Sequence, residues 1–580
     1  MRRIITSLLA LTLTSSALIG CSKKDDASNA TKAAVDGSAG ILAEPLLMKL
    51  PPSTEAFYLV NASGDAYKKM QASPWGDGST GLGSLQKAID QLTEAGADPV
   101  QIASLQVILS TLQNLGLVAP DGRSVVDEVL NKAVFFAAVS DNDAQPVDAG
   151  VYFAGAKGVS LKAKLPVLRQ LLGDADMLVS DEKIGGVDGL VARPPRQPDD
   201  ATQEVALYLA ATDSLMAISL SRASAESLFA STNTDTVKLM ADSPQFKKAV
   251  GSVGASPSSI AFGYMDVKKL VPVLDKLMAA NPDLQDERAA FNELPVDGVA
   301  VAQNYDREMV SALGVAVSSR SSDQSKLLSA LEGASLPTSL AKLPSDTAVA
   351  LGLDTSFVGK LGDLAASLQE DPQGAALLQR AKELQGFTLG LRSGDGTSPV
   401  PDIYLVFNAA DRDTFSSGLQ DMLGQLMAEG MGAAPQWQEK DIDGSPTRFI
   451  TTMIGAGIFM SSPKNSNAVV IASSERAMRD VLATSSGKSS GIADSLQASL
   501  KESLAASKLA SVYFNAIQTA KFVDSMKPTL AMFGAQSPEL DEAMNTENLK
   551  RFGRATGSIS YSDGLFLVES AIDASGAVAR

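Results

Sequence analysis

Short apolar runs separated by polar turns dominate the chain, and several come in pairs. Ala133 to Val139 is one such run; the turn Ser140-Asp141-Asn142-Asp143 follows, and the chain returns through Gly150 to Ala154. Phe387 to Leu391, the turn Ser393-Gly394-Asp395-Gly396 and Ile403 to Phe407 repeat the plan. Ala555 to Tyr561, Ser562-Asp563-Gly564 and Leu565 to Ala571 close the chain in the same way. Asp and Gly supply the backbone conformations a tight reversal needs, so each pair predicts an antiparallel hairpin.

A second pattern is strand, cap, helix. Ser259 to Met265 ends at Asp266, after which Leu270, Val273, Leu274 and Leu277 recur at helical spacing. Ala510 to Phe514 ends at Asn515, followed by Ile517, Phe522 and Met526, and Ala348 to Leu353 ends at Asp354, followed by Phe357, Val358 and Leu361. Asp or Asn stands each time where a helix start needs a side-chain acceptor. Capping therefore accounts for Asn61, Asp266, Asp354 and Asn515 without assigning them to catalysis.

The patterns occur twice. Leu50-Pro51-Pro52-Ser53-Thr54 recurs as Leu343-Pro344-Ser345-Asp346-Thr347, and Val151-Tyr152-Phe153 as Ile403-Tyr404-Leu405. Val187-Asp188-Gly189, Leu215 to Ile218, Ala241-Asp242-Ser243 and Ile260 to Tyr264 then match Ile442-Asp443-Gly444, Ala468 to Ile471, Ala493-Asp494-Ser495 and Ser511 to Phe514, in the same order. A shared order of short matches is the mark of duplication. The spacing differs only early on, so the first half carries extra chain at about 76–125. There Ile102, Leu105, Ile108, Leu109, Leu112 and Leu115 recur at helical intervals, which predicts a helical hairpin. The expected fold is α+β: two tandem repeats, 41–335 and 336–580, each an antiparallel sheet with helices packed on one face.

Composition removes whole classes of chemistry. The chain has no histidine and one cysteine. Ser-His-Asp and Cys-His catalysis, His-ligated metals and disulfides within the chain are excluded. A formal net charge of −17 repels phosphate backbones, and aromatic residues at 5% offer few stacking platforms, so no nucleic-acid partner is expected. No cofactor, metal or catalytic residue is assigned.

The single cysteine follows a distinctive leader. Met1-Arg2-Arg3 is positive, Ile4 to Ile19 is uncharged, and Gly20 precedes Cys21. This is the pattern of a signal peptide, 1–20, cleaved between Gly20 and Cys21. Thr and Ser residues dilute the run, so it does not read as a membrane span. Leu18-Ile19-Gly20-Cys21 resembles the lipobox of bacterial lipoproteins. The resemblance implies diacylglycerol on the Cys21 thiol and acylation of the new amine, and Ser22 after the cysteine implies an outer-membrane destination. Several acyl chains are what stable anchoring requires. Residues 21–40 are small and polar and read as a tether. The Leu-Pro-x-x-Thr starts at Leu50 and Leu343 make the body similar to duplicated bacterial lipoproteins of unknown function.

Other motifs are weaker. Gly76-Asp77-Gly78-Ser79-Thr80-Gly81 matches a dinucleotide-loop pattern but follows Ser73-Pro74-Trp75 and no strand. Ser-x-x-Lys occurs at Ser84/Lys87, Ser180/Lys183, Ser339/Lys342, Ser461/Lys464 and Ser485/Lys488, as chance allows in a Ser-rich chain; Ser140-Asp141-Asn142 is present, but the accompanying Lys-Thr-Gly is not. Asp141-Asn142-Asp143 lacks the glycine and distal Glu of a calcium loop. Trp437 and the stretch Leu419 to Met431, with Met422, Leu423, Leu426 and Met427, read as packing residues rather than a partner anchor or greasy pocket. Together these point to a non-enzymatic envelope lipoprotein, facing the periplasm, that binds or scaffolds an envelope protein. Carriage of a lipid or other apolar ligand is the alternative, and a Ser/Lys or carboxylate hydrolase the third.

Overall fold

A computed structural model gives the fold. It describes residues 43 to 573 except 72–125, 140–146, 196–205, 231–239, 280–292, 334–339, 362–380, 395–400, 432–435, 452–456, 533–545, 547–552 and a few shorter stretches. The expected signal peptide, tether and helical hairpin at 76–125, with Trp75 and Ser140 to Asp143, lie outside the described residues. No described helix is long and apolar enough to cross a membrane.

The chain forms two compact units, the first ending at Val317 and the second beginning at Ser318. The first contains β1 (Thr54–Asn61), β2 (Leu130–Val139), β3 (Val147–Gly155), β4 (Leu178–Ile184), β5 (Val187–Arg193), β6 (Leu207–Ala211), β7 (Leu215–Ser219), β8 (Ala261–Met265), β9 (Val296–Tyr305) and β10 (Glu308–Val317). All pair antiparallel, in the order β10-β9-β8-β1-β2-β3-β7-β6-β5-β4. The second contains β11 (Val349–Asp354), β12 (Leu384–Arg392), β13 (Asp402–Ala409), β14 (Gln438–Ile442), β15 (Ser445–Thr451), β16 (Gly457–Ser461), β17 (Ala468–Ala472), β18 (Ala510–Asn515), β19 (Arg554–Ser562) and β20 (Leu565–Asp573). Their order, β20-β19-β18-β11-β12-β13-β17-β16-β15-β14, repeats the first strand for strand.

The expected α+β class, sheets with a layer of helices on one face, is therefore corrected: the fold is largely antiparallel β, with strand exceeding helix among the described residues. The apolar pattern under-counts strands. β4 (LVSDEKI) carries charge along its length, and β9 and β10, paired from Tyr305 opposite Met309, have no Asp-Gly signal between them. β5, β6, β15 and β16 also fall outside the expected hairpins and strand-helix units. Helices fill in where the sheets need cover. The helix Glu475–Ser485, capped by Ser474, contributes Ala477, Met478, Val481 and Leu482 to a core with Tyr404, Val470 and Tyr513. Trp437, Met422 and Leu423 pack against a second core of Phe415, Leu419, Met460 and Val469.

Register refines the duplication. Thr54 and Thr347 each donate to the carbonyl of a proline three residues back, Pro51 and Pro344, which anchors the two starts together. From there Phe57 pairs with Phe136 and Phe136 with Gly150, while Ala350 pairs with Gly390 and Gly390 with Tyr404. Tyr404 thus occupies the place of Gly150, two residues from its apparent sequence partner Tyr152. A two-residue slip keeps side chains on the same face. The effect is an exchange: in one unit Phe136 covers a glycine across the strands, in the other Tyr404 does so from the opposite strand.

Candidate functional site

A cluster of buried charge sits at the ends of β12 and β13. Arg392 and Asp402 are cross-strand partners, and both are nearly inaccessible, 4% and 3% exposed. Arg392 donates to Asp402 Oδ2 through Nη2 at 2.8 Å, to Asp346 Oδ1 through Nη1 at 3.1 Å and to Asp480 Oδ2 through Nη2 at 2.8 Å. Arg476 adds Nε to Asp402 Oδ2 at 3.0 Å, and Ser474 Oγ donates to Asp402 Oδ1 at 2.6 Å. The same Ser474 oxygen accepts from the Ala477 amide, so helix start and ion cluster share one residue. Burial disfavours the guanidinium charge of Arg392, but Asp346, Asp480 and Asp402 outweigh it and push its pKa above the ordinary value. Tyr404 beside it is pushed up by burial, opposed by its hydrogen bond with Thr347.

Both oxygens of Asp402 are engaged by two guanidinium groups and a hydroxyl, while Asp346 and Asp480 at the rim of the cluster are part exposed. Sequence reading singled out none of Asp346, Arg392, Asp402, Arg476 or Asp480. One signal was available: Arg392 lies at the inward alternation of a strand whose neighbours at that parity, Gly390 and Thr388, are buried.

The corresponding place in the first unit holds Asp148 opposite Ala138. Asp148 is 8% exposed and accepts from Ser221 Oγ at 2.5 Å, Ser219 Oγ at 3.3 Å and Ser224 Oγ. Ser221 caps the helix Arg222–Ser227 as Ser474 caps its counterpart. The carboxylate and the capping serine are common to both units; the arginines belong to one.

A cleft of about 430 Å³ opens in the first unit between the helix Leu165–Asp174 and the β4–β5 hairpin. Its wall includes Leu165, Pro166 and Leu190, with Arg169, Asp181, Glu182, Lys183 and Asp188 around it. Those charges are matched: Arg169 with Asp181 at 2.5 Å, Arg222 with Glu182 at 2.6 Å, and Lys162 with Asp188 at 2.6 Å beside Lys183. Hydrogen bonds from Lys162 and then Lys183 lower Asp188 to about 2.

The remaining sequence candidates separate into placed and unplaced. Asp266 accepts from the Lys269 amide at 3.1 Å and Asn515 from the Gln518 amide at 3.2 Å, each at a helix start. Asp354 takes the amide and hydroxyl of Ser356 at 2.7 and 2.6 Å, and Asn61 accepts from Ser63 Oγ at 3.2 Å. Ser180 and Lys183 face different partners, the Val191 carbonyl and Asp188. No group of three acidic residues suited to a metal ion occurs among the described residues. Gly20 and Cys21 lie outside them. No protein-family model, no curated protein and no solved structure matches the chain.

Proposed function

We propose that this chain is a lipid-anchored bacterial envelope lipoprotein, held at the outer membrane through Cys21 and acting in the periplasm as a non-enzymatic binding or scaffold module. The observation that carries this is Leu18-Ile19-Gly20-Cys21, which ends the uncharged run after Arg2 and Arg3 with the protein's sole thiol. The buried charge of the body supports the non-enzymatic half of the reading, because Arg392 and Asp402 spend their hydrogen-bonding capacity on one another and on neighbours in the fold. Cells fed labelled palmitate should yield labelled protein, and Cys21→Ser should abolish both label and membrane retention; unlabelled wild type would remove the anchor. Envelope crosslinking followed by purification should enrich a defined protein partner.

A second reading, a carrier of lipid or another apolar ligand, is favoured by one specific feature. Leu351 and Val512, direct cross-strand partners, and Ile559 on the neighbouring strand are 38%, 42% and 39% exposed on one sheet face of the second unit. Lipid co-purifying in native mass spectrometry would select this reading, and its loss in Leu351→Ser/Val512→Ser would locate it.

A further inference from the structure

One row of side chains across the two sheets differs in kind. In the first unit it reads Ala312, Ala302, Phe262, Leu59 and Val134 on successive paired strands, all apolar. At the same register in the second unit stand Glu569, Ser558, Ser511, Gly352 and Thr388. This row shares its face with Ala350, Tyr513 and Tyr404, whose side chains build the core under the helix Glu475–Ser485. Ser511 and Ser558 are directly opposed and only 2% and 4% exposed, and neither hydroxyl has a hydrogen-bond partner in the structure.

The topology does not require hydroxyls here, since the first unit builds the same strands with Phe262 and Ala302. A buried hydroxyl without a partner costs about 1–3 kcal/mol, and the second unit carries two facing each other. Side chains directly opposed on paired strands have Cβ atoms about 4.5–5.5 Å apart, close enough for one oxygen to bond both serines. Gly352 stands beside Ser511 where the first unit has Leu59, so the row lacks the large side chain that fills its counterpart. Glu569, the only ionisable member, is already engaged within the protein. A guest at this row therefore meets hydroxyls rather than a spare charge.

We propose that the second unit binds a small uncharged molecule bearing a hydroxyl or carbonyl oxygen, which bridges Ser511 and Ser558. The site lies on the face opposite Leu351 and Val512, and it stands or falls independently of Cys21 acylation. The test compares intact masses of the detergent-extracted full chain under native and denaturing conditions. The wild type should carry a noncovalent mass greater than water that vanishes on denaturation, and Ser511→Ala/Ser558→Ala should lose it while keeping its circular dichroism. No such mass, or a mass retained by the double variant, overturns the proposal, as does a crystal structure with ordered water alone between the serines. Should the double variant not fold, Ser558→Ala serves by itself, because Ala302 holds that register in the first unit. Ser311→Ala, at an isolated unpartnered hydroxyl in the first unit, should leave the mass unchanged.

Discussion

Asp148 and Asp402 occupy one register in two copies of the same strand plan, yet each is held by different means. Asp148 rests on three serine hydroxyls, with Ala138 across the strand. Asp402 is clamped by Arg392 and Arg476, and Arg392 reaches on to Asp346 and Asp480. The lesson concerns what the fold demands. It demands an acceptor at the base of the strand to hold the serine that caps the following helix. It does not demand an ion cluster, because the first unit does without one. Buried ion pairs also recover little net stability over apolar substitutes, while breaking one is expensive. Single substitutions within the Arg392 cluster should therefore be costly.

The largest effect is expected at that difference. Arg392→Met removes the guanidinium from three carboxylates and should cost about 3–5 kcal/mol in urea unfolding; a loss below about 1 kcal/mol would mean that the cluster is held elsewhere. Asp148→Ala withdraws the acceptor of three hydroxyls and should cost less, about 1.5–3 kcal/mol, the worth of hydrogen bonds to a charged group. Equal losses in the two variants would erase the contrast.

The exchanged glycines give the next test. A methyl on Gly390 would overlap the Tyr404 ring, whereas one on Gly150 would meet both the Phe136 ring and the Ile218 carbonyl at 2.7 Å. Each Gly→Ala should cost about 1–3 kcal/mol by overpacking. Gly390→Ala/Tyr404→Leu should recover part of its loss, and Gly150→Ala/Phe136→Leu should recover less, because a backbone carbonyl cannot be trimmed. Similar recovery in both would show that the ring alone is the obstacle.

The smallest effect lies at the cleft. Lys162 and Lys183 depress Asp188 from 3.8 to about 2. Between those values the unfolded chain binds more protons than the folded one, so the contribution of Asp188 is present above its unfolded value and lost as pH falls through about 2. Asp188→Asn should flatten the acid side of the stability profile within that window. The pairs are exposed, so the change should be small and should shrink further in salt. A profile unaltered by the substitution would count against the pairing.

Much of the strand framework was legible beforehand. The hairpins at Ala133, Phe387 and Ala555 announce themselves by alternation and turn residues, and Asp266 and Asn515 by their place before helical spacing. The charged β4 and the β9–β10 hairpin did not announce themselves, and their omission is why the balance between helix and strand was misjudged. The Arg392 cluster was illegible for another reason: its members come from four separate places in the chain, Asp346, Arg392, Asp402 and Arg476 with Asp480.

By itself, then, the sequence determined the doubling, the turn positions, the exclusion of histidine and disulfide chemistry, and the Leu-Ile-Gly-Cys pattern near the start of the chain. These are local or compositional, and each is carried by neighbours in the chain or by a count. Only the tertiary structure decided that Tyr404 replaces Gly150 rather than Tyr152, that Asp402 meets two arginines, and that Ser511 faces Ser558. Each of those depends on which strands lie side by side and in what register, and a shift of two residues leaves the alternation of apolar and polar positions unchanged while altering every cross-strand pair.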